Sequence, residues 1–63
     1  MDSPNRIREL RRQRNMTLSM LAGRIDISIA YLSDIEKGHR HGSPVTLARI
    51  AEALGVPEAA LYD

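Results

Sequence analysis

The sequence predicts a single all-α domain, on three observations. Apolar residues recur at spacings of three and four along most of the chain, the period of an amphipathic helix, and no segment carries a strand pattern. Tyr31 and Tyr62 are the only aromatic residues, so the core has to be built from Leu, Ile, Ala, Met and Val, which favours helices over sheets. A chain of 63 residues has room for one domain, and we expect five helices packed compactly over residues 1–63.

The first helix is predicted to begin at Ser3-Pro4, because serine can cap free N–H groups and proline already holds the helical φ angle. Ile7 and Leu10 then form a narrow apolar stripe with the later Met16. Asn15 can end the helix by adopting the left-handed conformation. The rest of the helix surface is basic and carries Arg6, Arg8, Arg11, Arg12 and Arg14. A solvated face explains any one of these arginines, but five on one short helix require a further explanation.

Two further helices with a very short connection are predicted between residues 17 and 38. Thr17 is placed to cap the second helix and Ser28 the third, while Asp26 interrupts the apolar pattern and Gly38 ends the third helix. The apolar positions at helical spacing are Leu18, Leu21, Ala22, Ile25, Ile27, Leu32 and Ile35. Because the link is so short, the two helices must cross steeply, which predicts a helix-turn-helix.

The last third of the chain predicts a loop and two more helices. Residues 39–43 form the loop by their Gly and polar content, and Ser43-Pro44 opens the fourth helix, which Gly55 ends. Pro57 opens a last short helix. The apolar positions of these two helices are Leu47, Ala48, Ile50, Ala51, Leu54, Ala60 and Leu61.

The net charge of +1 hides an asymmetry between the two parts of the chain. Residues 1–25 carry six basic and two acidic residues, for a charge of +4, and residues 26–63 carry three and six, for −3. The absence of cysteine excludes a disulfide framework and cysteine-ligated zinc. The N-terminal segment lacks the apolar core of a signal peptide, and no run approaches a membrane span in length. We therefore expect a soluble, intracellular protein.

These segments resemble the DNA-binding domain of the lambdoid phage repressors and Cro proteins, also called the xenobiotic response element family. The resemblance extends from Ile7 to Leu61. It rests on the small residue Ala22 where the two helices touch, on the apolar residues around the turn, on Glu36-Lys37-Gly38 at the end of the third helix, and on TLARIAEALGV at residues 46–56.

Two positions differ from the family pattern. The turn usually contains glycine where this chain has Asp26, which tolerates the left-handed conformation better than most residues. Many members begin the second helix with a glutamine that binds a phosphate or a base, and here that position is Leu18. The backbone N–H of Leu18 can still meet a phosphate at the helix N-terminus, although its side chain cannot hydrogen-bond.

The resemblance implies a sequence-specific DNA-binding transcriptional regulator, and a repressor in particular, of bacterial or phage type in the cytoplasm and associated with the nucleoid when bound. Its expected partner is double-stranded DNA with an inverted-repeat operator. A homodimer would place the third helix of each copy in the major groove, at half-sites about one helical turn apart. The resemblance also implies a structural ion pair between Arg11 and Glu36, in which Glu36 orients helices and contacts no ligand.

The outward face of the third helix is expected to read bases. If Leu32 and Ile35 point inward, helical geometry turns the opposite face outward, and the predicted base-facing residues are Ser28, Ile29, Ala30, Ser33 and Asp34. This face has no Arg, Asn or Gln, so the strong bidentate contacts to guanine or adenine are missing. Asp34 can either accept a hydrogen bond from cytosine N4 or be neutralised by Lys37 or Arg40.

The DNA backbone is expected to meet the start of the second helix and the loop after the third, with some first-helix arginines at the periphery. The predicted residues are Thr17, Leu18, Tyr31, Lys37, His39, Arg40 and His41. Tyr31 has two equal interpretations, packing at the edge of the core or a hydroxyl that reaches a phosphate. His39 and His41 lack the supporting ligands of a metal site, so we expect no metal and no cofactor, and a loop that clamps phosphate or is simply solvated.

No catalytic arrangement of side chains emerges, so an enzyme is not expected. The main rival is a protein-interaction module that presents Leu18, Ile29 and Ala30 to another protein, and a third reading is an antitoxin that holds a toxin and represses its own promoter. Dimerisation is expected through the fourth and fifth helices or through a C-terminal region outside this chain. The apolar residues proposed for the first route are Val56, Leu61 and Tyr62.

Overall fold

The computed structural model describes residues 4–62, and within this range it is all-α, as predicted, with no strand. Four α-helices follow in order: α1 (Ile7–Gln13), α2 (Leu18–Ile25), α3 (Ile29–Glu36) and α4 (Pro44–Leu54). The last element, Glu58–Leu61, is a 3₁₀ helix, so the prediction of a fifth helix of the same kind is wrong. This segment closes i to i+3 bonds, such as that from the Ala60 N–H to the Pro57 oxygen at 2.9 Å, which suit such short pieces.

The start of α1 differs from the prediction. The helix begins at Ile7, and Arg6 at the N-cap makes no side-chain capping bond, so Pro4 does not occupy the first helical position. Pro4 is instead fully buried, and the Arg6 N–H donates to the oxygen of Leu61 at 3.0 Å. A contact with the other end of the chain therefore sets this helix start. The predicted cap Ser3 lies outside the described residues.

The predicted boundaries of α2 and α3 are confirmed. The Thr17 hydroxyl accepts the Met20 N–H at 3.0 Å, and the Ser28 hydroxyl accepts the Tyr31 N–H at 3.0 Å. Asp26 has a φ angle of 60°, the left-handed conformation that the turn requires. The turn is tightened by the Ile27 N–H, which donates to the oxygen of Ala22 at 3.0 Å.

The boundaries of α4 are also confirmed, and four of the five apolar positions predicted for this helix are buried: Leu47, Ile50, Ala51 and Leu54. Ser43 caps α4 by accepting the Thr46 N–H at 3.1 Å, and Gly55 ends it with a φ angle of 72°. Ala48 is exposed, whereas Thr46 is buried. The Thr46 hydroxyl accepts a hydrogen bond from the Ser43 hydroxyl at 2.8 Å, which satisfies it inside the fold.

All five elements contribute side chains to one hydrophobic core. Its buried apolar residues are Ile7, Leu10, Met16, Leu21, Ala22, Ile25, Leu32, Ile35, Leu47, Ile50, Ala51, Leu54 and Leu61. Leu61 is completely buried and is therefore not available for the dimer contact expected of it, while Val56 and Tyr62 are partly buried against the core. Within residues 4–62 no helix has the length and apolar character needed to cross a membrane.

Two glycine substitutions are expected to change stability in opposite directions. Gly55→Ala should lower the free energy of unfolding by about 1 kcal/mol, because an L-residue resists the positive φ angle even though its Cβ would meet open space. Gly23→Ala, inside α2 and also facing open space, should raise it by about 0.5–1 kcal/mol through better helix propensity. Urea unfolding followed by circular dichroism measures both, and equal effects would contradict the left-handed end of α4.

Candidate nucleic-acid interface

One face of α3 is turned away from the core. Leu32 and Ile35 are 0% and 1% exposed, which confirms that this line of the helix points inward. The opposite side carries the predicted base-facing residues: Ser28, Ile29 and Ala30 are exposed, and Ser33 and Asp34 are partly exposed. Ile29 keeps 50% of its surface accessible. The leading part of α3 is thus a small, mostly apolar ridge.

The start of α2 lies at the edge of this ridge. Thr17 is exposed at the N-cap, and its N–H contacts the Met20 sulfur at 3.5 Å, a weak acceptor. Leu18 is partly buried against the core, so its side chain packs and does not extend into solvent. The N–H groups of the first turn of α2 have no intrahelical partners beyond this cap and can bind an anion.

A groove joins α1, α2 and α3 next to the exposed face. It is lined by Arg8, Arg11, Leu18, Ser33, Glu36 and Lys37. Predicted base-facing, backbone-facing and ion-pair residues therefore meet at one place on the surface. The sequence alone does not separate Arg8 from the other arginines of α1. Its spacing of three from Arg11 does indicate that the two residues lie on one face of the helix.

An ion pair forms the inner wall of this groove. Arg11 Nε lies 2.9 Å from Glu36 Oε2, and Arg11 Nη2 lies 3.1 Å from Glu36 Oε1, a bidentate arrangement between α1 and α3. The third guanidinium nitrogen donates to the oxygen of Met16 at 2.8 Å. The two side chains are only 10% and 6% exposed. The pair therefore fixes the position of α3 relative to α1.

Asp34 is partnered by the loop that follows α3. Its carboxylate lies 3.5 Å from Arg40 Nε and 3.8 Å from His39 Nδ1, while its backbone oxygen accepts the N–H groups of both residues at 2.8 Å for His39 and 3.3 Å for Arg40. Lys37 takes no part in the ion pairs found within residues 4–62. Of Lys37 and Arg40, the two cations expected to neutralise Asp34, it is Arg40 that pairs with it.

Tyr31 links α3 to the start of α4. Its ring is partly buried against the core, its hydroxyl oxygen accepts the Ser43 N–H at 3.2 Å, and the Arg40 guanidinium lies 5.9 Å from the ring centroid. Tyr31 therefore both packs at the edge of the core and presents its hydroxyl at the surface. The hydroxyl group can still donate a hydrogen bond. The side chains of His39 and His41 are exposed in the same loop, which carries Arg40 between them.

The arginines of α1 divide into two groups. Arg6 pairs with Glu9 at 3.0 Å, Arg11 is committed to Glu36, and Arg14 donates to the oxygens of Leu54 at 2.6 Å and Leu10 at 3.0 Å. Arg11 and Arg14 thus connect α1 to α3 and α4, whereas the pair of Arg6 with Glu9 is a local contact at the surface. The other group consists of Arg8 and Arg12. Both are exposed, and their side chains make none of the hydrogen bonds or ion pairs found within residues 4–62.

The dimensions of the exposed face suit a DNA groove. A helix with its side chains is about 10–12 Å wide, and the major groove of B-DNA is about 12 Å wide. The ridge of α3 carries small and apolar side chains, while cations stand on both sides of it, Arg8 and Lys37 in the groove and Arg40 in the loop. This arrangement can insert between base edges and meet phosphates on either side.

Comparisons with known proteins identify the family of this chain. A model of the helix-turn-helix family HTH_3 matches residues 7–61. The HTH-type transcriptional regulator DdrOP3 of Deinococcus deserti is 43% identical over 51 residues, which are 81% of this chain and 40% of that protein. The immunity repressor protein of Bacillus phage phi105 is 38% identical over 56 residues, 89% of this chain and 39% of the repressor. The chain thus spans about 40% of the length of both relatives.

A solved structure shows the same arrangement of helices. The crystal structure of SinR, the master regulator for biofilm formation, in complex with DNA matches with a TM-score of 0.85 at 30% identity, over 100% of both chains. The family match covers every helix described above, from the first residue of α1 to the last of the 3₁₀ helix. This chain therefore belongs to the helix-turn-helix family HTH_3, which confirms the resemblance to the phage repressors and Cro proteins.

Proposed function

We propose that this domain is a sequence-specific DNA-binding transcriptional regulator, and a repressor, that inserts α3 into the major groove. The observation that carries the proposal is the exposed ridge of α3, with the free start of α2 and the cations of the following loop beside it. A helix seated this way covers the DNA that it reads. Repression follows if the site overlaps a promoter, because polymerase is then excluded. The proposed location is the cytoplasm, and the proposed activity includes no catalytic step.

Base reading on this face depends on apolar contact and shape. Ile29 and Ala30 can pack on thymine methyl groups, and the Ser33 hydroxyl can donate or accept. The Ser28 hydroxyl oxygen already accepts a hydrogen bond from the Tyr31 N–H, so the hydroxyl group can contact a base by donating a hydrogen bond. With few hydrogen bonds to bases, sequence-dependent groove width and DNA deformability supply a large part of the discrimination.

Affinity is expected to come from the phosphate backbone. In this proposal the N–H groups of Thr17 and Leu18 face one strand together with Lys37, because Leu18 and Lys37 line the same groove. Tyr31 and the loop residues 39–41 face the other strand. Each cation that neutralises a phosphate releases counterions, so affinity falls with rising salt. The preformed contact of Arg40 with the ring of Tyr31 lowers the entropy lost when the loop is ordered on DNA.

A two-fold dimer on an inverted repeat is part of the proposal. In this family geometry the two copies place their third helices about 34–36 Å apart, one helical turn of DNA. Leu61 is used by the core, so of the three residues expected in the contact we propose the partly buried Val56 and Tyr62. Analytical ultracentrifugation with and without DNA measures the association.

The proposed function is tested by selecting binding sites from a random duplex pool and titrating salt against the selected duplexes. We expect an enriched inverted repeat and an affinity that falls steeply between low and physiological salt. Weak binding without an enriched motif would reject sequence-specific regulation. It would favour the second candidate, a protein-interaction module or antitoxin, for which the half-exposed Ile29 on the same ridge is the supporting observation.

Substitution of Asp34 by alanine is expected to tighten DNA binding by about 3- to 10-fold and to reduce selectivity. The change removes a negative charge close to the phosphates and releases Arg40 to contact one. The loop itself should survive, because His39 and Arg40 bond to the backbone oxygen of residue 34, which alanine keeps. Affinities for the selected site and its single-base variants measure the effect. A changed preference at one base pair would instead assign cytosine reading to Asp34.

A further inference from the structure

The exposed arginines of α1 form one surface with the groove beside α3. Arg8 lines the groove that also contains Ser33 and Lys37 of the α3 region. Arg8 also lines a second groove, along the outside of α1, with Asn5, Glu9, Arg12 and Gln13. The two grooves share this side chain, so a continuous strip leads from Lys37 through Arg8 to Arg12. We call this strip the α1 strip.

The charge of the α1 strip is available to a partner. Arg8 and Arg12 are exposed and stand outside the ion pairs found among residues 4–62, as does Lys37. Glu9, the acidic residue in the outer groove, is paired with Arg6 at 3.0 Å. The strip therefore presents three cations, with the nearby carboxylate already neutralised, and an extended anion is the complementary partner.

The position of the α1 strip relative to α3 identifies the anion. The bidentate contact between Arg11 and Glu36 holds α1 beside the C-terminal end of α3, and Arg8 lies one turn earlier on the same side of α1. If α3 fills a major groove about 12 Å wide, as the proposed function has it, side chains beside α3 lie over the phosphates that border the groove. Arg12 lies about 6 Å further along α1 than Arg8 and so reaches a different phosphate.

We propose that Arg8 and Arg12 bind phosphates of duplex DNA outside the base pairs faced by α3, and so extend the footprint along the flanking backbone. This inference rests on the proposed function. The contacts are independent of base sequence, because they are made to phosphates alone. Arg8 and Arg12 thus add affinity on every DNA sequence, while the face of α3 discriminates among sequences.

The variants Arg8→Gln, Arg12→Gln and the double variant test the α1 strip by salt dependence. Each phosphate contact contributes about 0.9 to the slope of log affinity against log salt. When salt rises from about 50 to 200 mM, the fall in affinity of each single variant should therefore be about 3-fold smaller than that of the wild type. For the double variant the fall should be about 10-fold smaller. Fluorescence anisotropy on the selected duplex and on a mixed-sequence duplex measures the slopes. Arg8→Lys, which keeps the charge, should restore the wild-type slope.

The matched controls are Arg24→Gln and Arg49→Gln, which remove the same charge from a different groove, between α2 and α4. They should leave the slope unchanged.

In addition, trimming the base pairs outside the selected half-sites should weaken the wild type by about 10-fold and leave the double variant unaffected. Equal slopes in all variants, or equal sensitivity to trimming, would overturn the role of the α1 strip while the selected site is still bound. Failure of the wild type to bind any duplex would overturn the proposed function itself.

Discussion

Replacing Glu36 with alanine is expected to lower the free energy of unfolding by about 3–5 kcal/mol. The change leaves the Arg11 guanidinium, only 10% exposed, without its bidentate partner, and a buried unpaired charge is among the most destabilising defects a fold can carry. A domain of this size has a total stability of about 5 kcal/mol. The variant should therefore keep only about 0–2 kcal/mol, so that between about 3% and about half of it is unfolded at 25 °C, as measured by urea unfolding and circular dichroism.

Two comparisons separate the ion pair from a general effect of removing a carboxylate. Glu52→Ala removes an exposed carboxylate from α4 and should change stability by less than about 0.5 kcal/mol. The double variant Arg11→Met with Glu36→Leu should be more stable than Glu36→Ala alone, since it removes both charges together. A Glu36→Ala variant as stable as Glu52→Ala would show that the pair does not hold α1 against α3.

Local chemistry explains why so much of the fold could be predicted from the sequence. The caps Thr17, Ser28 and Ser43 and the left-handed Asp26 depend on hydrogen bonds and φ angles within a few residues, and these rules act in any context. The start of α1 could not be predicted in the same way. It is set by the bond between Arg6 and the distant Leu61, which no local pattern contains.

The arginines of α1 show the same limit for the candidate site. All of them look alike in the sequence, yet Arg11 and Arg14 bond to partners in α3 and α4, whereas Arg8 and Arg12 make no such bond within residues 4–62. Only the packing of the helices determines which arginines bond to another part of the fold and which are left for a partner. The family resemblance implied the partner of Arg11, because that pairing is a family feature. It implied nothing about Arg14, which bonds to the end of α4.

Ala30→Glu is expected to lower the affinity for DNA by at least about 100-fold. Ala30 is exposed near the start of α3, on the ridge that the proposal seats between base edges. A carboxylate there would lie between two rows of phosphates and is too large for a close approach, and like charges at an interface cost several kcal/mol. Anisotropy titration of the selected duplex measures the loss.

Ala48→Glu is the matched control, because Ala48 is also an exposed alanine on a helix, on α4, and the same charge is added. It should lower affinity by less than about 3-fold, through the net charge alone. Circular dichroism and urea unfolding should show both variants folded, since both substitutions replace exposed side chains. If both glutamates weakened binding equally, net charge and not the seating of α3 would account for the effect. The assignment of α3 as the recognition helix would then be wrong.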